Sequence, residues 1–277
     1  MPELPEVETV LRGLEPVLMQ QKVHDVIVRC DKLRWPITAN LKSILMHQQV
    51  LELARRGKYL LIHFTQGTLI IHLGMSGRLC ALTNASPIKP HDHLDIIFSD
   101  QLLLRYNDPR RFGAILWTDE DPYQHVLLRK LGPEPFDSAF TAKYLFEKTT
   151  SRRVAIKVLI MNHHMVVGVG NIYAAEVLFL AGIHPATPAH QISLEQCRLL
   201  VKFIKQVLKK AIEQGGTTLK DFVNSQGKPG YFSQKLKVYG REGRSCVSCQ
   251  SLVQSITLGQ RASAFCPVCQ KLALNKR

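Results

Sequence analysis

Residues 59–73 read Tyr-Leu-Leu-Ile-His-Phe-Thr-Gln-Gly-Thr-Leu-Ile-Ile-His-Leu. Two short runs rich in branched and aromatic residues, Tyr59 to Phe64 and Thr68 to Leu73, flank a turn signal at Gln66-Gly67. Leu94 to Phe98 and Leu102 to Tyr106 repeat the pattern around Ser99-Asp100. From Val23 to about Trp117 such runs follow one another without alternating helices, which predicts an antiparallel sandwich or barrel. Upstream, Val7, Val10, Leu11, Leu14 and Leu18 recur at helical spacing, with Glu3, Glu6 and Glu8 in or near the first turn. Pro5 suits that first turn, whereas Pro16 is expected to end or kink the helix.

Downstream the texture changes. Gly132-Pro133-Glu134-Pro135 cannot continue a helix or a central strand and reads as a linker. Helical periodicity follows. Ser193 and Gln196 form a capping box that opens a long amphipathic helix closing at Gly215-Gly216. Residues 217–237 are polar, glycine-bearing and basic, the composition of a mobile loop. The last forty residues carry four cysteines and little else from which to build a core. The expected organisation is an N-terminal β domain over 1–131, a linker and the start of a helical domain over 132–150, the helical domain proper over 151–236, and a cysteine module over 237–277.

The chain has 277 residues, and 36 Lys+Arg against 22 Asp+Glu give 36 − 22 = +14. At about 150 residues per domain that length predicts two domains. With 45% hydrophobic and 21% charged residues, wholesale disorder is excluded. No apolar run is long enough to span a membrane. The start, MPELPEVET, lacks a basic-then-apolar signal, and seven cysteines is an odd number. Together these predict a reduced, cytoplasmic protein rather than a secreted disulfide framework. A pI of 9.6 points to a polyanionic partner, although a plain solvated basic surface has the same charge.

The strongest local motif is Cys246-x2-Cys249-x16-Cys266-x2-Cys269. Two such knuckles let four thiolates converge on one structural Zn²⁺, and a closed four-sulfur shell leaves no position for catalysis. Cys30, Cys80 and Cys197 lack partner spacing and are expected to be buried thiols. Arg261, between the knuckles, is placed for a phosphate or is a solvated arginine. Gly168-Val169-Gly170-Asn171 lacks the third glycine of a dinucleotide fingerprint, since Tyr173 occupies it. With Asn171 as a helix N-cap, this turn suits either an anion such as a DNA phosphate or simple packing. Lys58, in Arg55-Arg56-Gly57-Lys58-Tyr59, is a phosphate contact, a proton donor or a strand-edge lysine.

At the start of the chain, the small side chain of Pro2 permits removal of Met1, which leaves a secondary amine. An α-amino group titrates near 7.7–8.0, so a useful fraction is nucleophilic at neutral pH. Its attack on an anomeric carbon gives an iminium, an electron sink that promotes elimination of the sugar's phosphates. Glu3 and Glu6, three apart on one helical face, can deliver a proton to the ring oxygen and hold or relay water.

Taken together, these residues resemble the formamidopyrimidine-DNA glycosylases. The motifs that carry the resemblance are MPELPEVET, RRGKYL at 55–60, HLGMSG at 72–77, KPHDHLD at 89–95, DPRRFG at 108–113 and LGPEP at 131–135. GVGNIYAAEVL at 168–178, GIHP at 182–185, QGGTTLKDF at 214–222 and the four-cysteine finger complete it, so the whole chain is covered. The resemblance implies an α+β multidomain fold. Its parts would be an N-terminal antiparallel β-sandwich with an N-terminal helix, a helix–two-turns–helix domain, and a zinc-finger β-hairpin.

It also implies a monomer acting on damaged double-stranded DNA by base flipping and covalent catalysis. By this resemblance Pro2 is the nucleophile, Glu3 protonates the opening sugar and Glu6 supports the active-site water. Lys58 would donate a proton in β-elimination, and Arg261 would clamp phosphates and serve δ-elimination. Met75, Arg110 and Phe112 would fill the void left by the extruded base, while His91, Arg152 and Asn171 would contact phosphates. The loop 217–237 would cap that base. Within the superfamily the rival is the pyrimidine-directed endonuclease VIII; outside it, a non-catalytic DNA-binding protein with a zinc ribbon. Leu4 and the intact Met75, Arg110 and Phe112 favour the purine-directed branch.

Overall fold

A computed structural model describes residues 2–83, 85–216 and 235–272. Val50–Arg56 (β2), Tyr59–Phe64 (β3), Gly67–His72 (β4) and Ala114–Thr118 (β8) form one four-stranded sheet in that order. Asp25–Val28 (β1), Asp92–Ser99 (β6), Leu102–Asn107 (β7) and Arg78–Leu82 (β5) form the other, and every pairing in both is antiparallel. The expected sandwich is present. In the β3–β4 hairpin Tyr59 faces His72 and Phe64 faces Gly67, so the turn is Thr65-Gln66 and falls one residue earlier than the Gln66-Gly67 signal. Gly67 answers a packing need instead. A Cβ there would lie 2.5 Å from the Thr118 carbonyl and 2.6 Å from the Trp117 ring.

Leu4–Leu18 (α1) contacts β2, β3 and β5 and buries Val7, Val10, Leu11, Leu14 and Leu18 in the sandwich core with Leu60, Ile62, Leu69, Ile71 and Ile96. Pro16 does not end this helix. It sits in the last turn, where one lost bond is tolerated because Leu18 is fully buried and the Met19 N–H still reaches Glu15 O at 3.2 Å. Glu8 ties α1 to β2: its carboxylate accepts from Arg55 at 2.8 Å and from Arg12 at 2.9 Å. A short helix, Leu41–Leu45 (α2), completes this part.

The described residues divide into two compact units, 2–130 with 212–216, and 131–211 with 235–272. The second contains Ala142–Thr149 (α3), Ile156–Ile160 (α4), Asn171–Leu180 (α5), most of Leu194–Glu213 (α6) and the hairpin Gln254–Leu258 (β9) with Arg261–Phe265 (β10). The capping box of α6 is formed as expected, with Gln196 N–H on Ser193 Oγ at 3.1 Å and Ser193 N–H on Gln196 Oε1 at 2.9 Å. Gly132-Pro133 is no loose tether. Gly132 N–H bonds to His163 O at 2.8 Å and Val167 N–H to Pro133 O at 3.2 Å. The cysteine module also has a core, borrowed from α5: Ala175 and Phe179 pack with Val238, Val253, Ala264, Cys246 and Cys266. Among the described residues no helix is long and apolar enough to cross a membrane.

Candidate functional site

In the first unit the chain enters α1 through buried Pro2 and Glu3. Glu3 is the N-cap, with an extended backbone. Its N–H donates to Glu6 Oε2 at 2.9 Å, and its own carboxylate accepts from the Glu6 N–H. This is a capping box with glutamate standing where Ser or Thr is usual. It explains how two carboxylates only 2% and 0% exposed are held at one point, at the helix end where the backbone dipole favours negative charge. Gly216, in the left-handed region at φ +78°, backs directly onto Glu6. Met1 and residues 217–234 of the expected capping loop lie outside the described residues.

Lys58 occupies the two-residue turn between β2 and β3, where Gly57 adopts φ +59°. Next to it, the His72 ring packs against Tyr59, tilted by 46° with ring centroids 4.8 Å apart. Burial, reinforced by the positive charges of Lys58 and Arg34, pushes its imidazole down to about 4. His72 Nδ1 accepts the Gly74 N–H at 3.0 Å, so the ring proton belongs on Nε2.

Met75, part-buried, is in the loop between β4 and β5. Arg110 and Phe112, both exposed, are in the loop between β7 and β8, with the guanidinium 4.6 Å from the ring centroid. Phe112 is 44% exposed, a large aromatic side chain outside the core. His91 is also exposed, at φ +71°.

In the second unit, Gly170 rather than Asn171 is the N-cap of α5. Asn171 is the first helical residue, and its side chain is engaged within the protein. Its Oδ1 accepts from Lys157 Nζ at 2.7 Å and its Nδ2 donates to Ala262 O at 3.1 Å. Lys157, 1% exposed, also donates to Ser263 Oγ at 2.7 Å and Ala262 O at 3.2 Å. One buried ammonium thus joins α4, the start of α5 and β10. The β9–β10 turn, Gly259-Gln260, has φ +53° and +61°, as a two-residue hairpin with the strands' own twist requires. Arg261 follows it directly and is exposed at the tip, as is Arg152 ahead of α4. Glu176, buried in apolar α5, accepts the N–H groups of Lys237, Val238 and Tyr239 at 2.8, 3.0 and 3.0 Å.

Sequence reasoning passed over Lys157 and Glu176. Each is a lone charge in an apolar run, Ala-Ile-Lys-Val-Leu-Ile and Ala-Ala-Glu-Val-Leu-Phe, and such a charge is rarely buried without partners, which was the available signal.

The four cysteine sulfurs lie within 4.8 Å of one another, with Cys246 and Cys269 3.9 Å apart and Cys249 and Cys266 3.4 Å apart. A tetrahedral metal with bonds of about 2.3 Å sets its sulfurs about 3.8 Å apart, so the set fits such an ion. Cys30 and Cys197 are buried as expected, whereas Cys80 is only part-buried.

The protein thus combines a sandwich with paired buried glutamates at the start of α1 and a helical unit bearing an exposed arginine on a four-cysteine hairpin that fits a metal ion. The profile of the formamidopyrimidine-DNA glycosylase N-terminal domain matches residues 1–115, and that family's H2TH domain matches residues 131–223. Formamidopyrimidine-DNA glycosylase of Hydrogenovibrio crunogenus is 54% identical over 271 residues, covering 98% of this chain and 97% of its own. That of Shewanella halifaxensis is 53% identical, with 98% and 100% covered. Among solved structures, a Lactococcus lactis Fpg variant in complex with Fapy-dG-containing DNA superposes with a TM-score of 0.91 at 35% identity, covering 98% and 100%. The complex of Lactococcus lactis Fpg with abasic-site DNA gives 0.91 at 36% identity, covering 97% and 99%. The chain belongs to the formamidopyrimidine-DNA glycosylase family.

Proposed function

We propose that this protein is a bifunctional DNA glycosylase and abasic-site lyase. It excises oxidised purines, 8-oxoguanine and formamidopyrimidines, from double-stranded DNA. The observation that carries the reading is the Glu3–Glu6 capping box, which gathers two buried carboxylates beside Pro2. A DNA-binding module has no use for the nucleophilic Pro2 amine that these carboxylates would serve.

Once Met1 is removed, the Pro2 nitrogen attacks C1′ of the extruded nucleotide and the C1′–N bond breaks, its electrons leaving with the base. The Pro2 nitrogen gives up its proton, which neutralises the departing base. Glu3 gives a proton to the sugar ring oxygen as the ring opens, and the lone pair so restored on nitrogen completes a cationic iminium. Glu6 orients water. Loss of the C2′ proton then expels the 3′ phosphate, with Lys58 as proton donor. A second elimination expels the 5′ phosphate, with Arg261 on the phosphates beside the lesion. The product is a one-nucleotide gap with a phosphate at each end.

Met75 and Phe112 replace the stacking of the lost nucleotide, and Arg110 hydrogen-bonds the orphaned cytosine. His91 and Arg152 contact phosphates, and Asn171 contributes beside them from its place under Arg261's strand. Cys246, Cys249, Cys266 and Cys269 hold one structural Zn²⁺, which supplies folding free energy to the hairpin and takes no part in the chemistry. The protein works as a monomer in the cytoplasm, on the chromosome.

The test is borohydride trapping on a duplex with 8-oxoguanine opposite cytosine, followed by peptide mass spectrometry. A covalent adduct at Pro2 is expected. An adduct with thymine glycol alone would move the assignment to a pyrimidine-directed relative, and none on either lesion would leave a binding module.

A further inference from the structure

We infer that Asp108 is a positioning residue that fastens the loops carrying Met75, Arg110 and Phe112 into one wedge, an inference that rests on the function proposed above. Asp108 is fully buried, and four donors converge on its carboxylate. Ser76 Oγ lies 2.8 Å from Oδ1 and the Arg110 N–H 3.3 Å from the same oxygen. The Gly113 N–H lies 2.9 Å from Oδ2 and the Tyr106 hydroxyl 3.4 Å from it. Ser76 is the neighbour of Met75, and Arg110 and Gly113 bracket Phe112. The backbone extends the hub, since Asp108 N–H donates to His91 O at 3.1 Å and Asp108 O accepts from Arg111 N–H at 3.2 Å. Both carboxylate oxygens and the N–H of this residue therefore hold segments that carry the expected DNA-facing residues, while its carbonyl also meets His93 Nε2 at 2.9 Å.

The two loops also touch directly, and only glycine permits the approach. A Cβ on Gly74 would lie 2.5 Å from Gly113 N and 2.5 Å from the Phe112 carbonyl carbon. The Tyr106 hydroxyl, which also bonds to His72 O at 3.2 Å, fills the space that side chains at Gly77 and Gly113 would need. A group that replaces a stacked nucleotide must match the void, so the relative placement of Met75 and Phe112 determines how well the gap is filled. Asp108 sets that placement without reaching the DNA, and damage recognition in duplex DNA depends on it. An abasic site in a single strand has no void to fill and does not.

The experiment compares Asp108→Ala, Asp108→Asn and Ser76→Ala in the full chain. It measures single-turnover excision of 8-oxoguanine opposite cytosine and opposite adenine, and cleavage of an abasic site in single-stranded DNA. Asp108→Ala is expected to slow duplex excision about tenfold, the scale of one lost buried hydrogen bond. The preference for cytosine opposite the lesion should narrow, while single-strand cleavage stays within about twofold. Asp108→Asn should fall between wild type and Asp108→Ala, because its oxygen keeps the Gly113 N–H and its amide can donate to Ser76 Oγ, but the amide leaves the Arg110 N–H unpaired. Ser76→Ala removes one hydroxyl and should shift the same ratios less, keeping the test open if Asp108→Ala fails to fold.

Wild-type ratios in both Asp108→Ala and Ser76→Ala would overturn the inference, as would duplex and single-strand rates falling together. Absence of excision by the wild-type protein is the separate failure of the proposed function, and the inference falls with it.

Discussion

Gly216 and Glu6 meet with no side chain between them: a Cβ on Gly216 would stand 3.1 Å from Glu6 Oε1 and 3.4 Å from Glu6 Cα. The turn that closes α6 therefore forms one wall of the carboxylate pair. Gly216→Ala places a methyl against Glu6 and forces an L side chain to φ +78°, at about 1–2 kcal/mol of strain. Base excision should slow by at least about tenfold. Affinity for a duplex with an uncleavable abasic analogue should change little. Excision at the wild-type rate in single-turnover assays would show that Glu6 needs no such wall.

Stability should fall between pH 6.5 and 4 because of His72. The folded protein holds this imidazole down to about 4, against 6.5 when free, so in that window the unfolded chain binds a proton that the folded chain refuses. The contribution is complete above 6.5 and lost by about 4, on the order of 3 kcal/mol. His125 and His184, lowered by burial, act in the same direction. Asp95 behaves separately. Burial raises it, but Arg105 and Arg29 outweigh that and hold it below 3.8, so its contribution is lost only in stronger acid. Urea unfolding at pH 7.5, 6 and 5, followed by Trp35 and Trp117 emission, should show the loss, and His72→Gln should flatten part of it. A variant with the wild-type slope contradicts the assignment.

Lys157→Met should destabilise the second unit by about 2–3 kcal/mol, since Asn171 Oδ1, Ser263 Oγ and Ala262 O lose a buried donor. The Arg261 hairpin and the start of α5 would lose their common anchor. DNA affinity should then weaken alike for damaged and undamaged duplexes, the signature of misplaced phosphate contacts. A loss confined to damaged duplex would place Lys157 in lesion recognition instead.

Metal removal should separate DNA binding from the folding of the sandwich. One zinc per chain is expected by elemental analysis. Its chelation should abolish DNA binding while tryptophan emission from the sandwich is unchanged. Cys249→Ser should do the same. Retained binding by a metal-free protein would deny the hairpin its role.

Where a pattern was carried by neighbours in sequence, it was legible. Tyr59 to Phe64 is β3 to the residue, Ser193 and Gln196 cap α6, and the cysteine knuckles bring four sulfurs together. What stayed hidden depends on a partner far along the chain. Pro16 is tolerated because Leu18 is anchored in the core, and Gly67 is glycine because of Trp117. Asn171 turns inward because Lys157 and Ala262 meet it. Asp108 sits in a Asp-Pro turn signal that announces a bend and says nothing of the four donors awaiting its carboxylate. Periodicity reports which face is buried, and polar partners at a distance leave no such period.

On the mechanism proposed above, the Glu3–Glu6 capping box makes two residues answer to two demands. Any change there is scored both by the reaction and by the first turn of α1, which is packed against the sandwich. Loss of activity in an alanine variant therefore mixes chemistry with helix fraying, which for a lost cap is worth about 1 kcal/mol. Glutamine keeps an oxygen that can accept the capping N–H yet has no acidic proton to give. An engineer who wants an inert protein that still grips its ligand should choose glutamine at these positions.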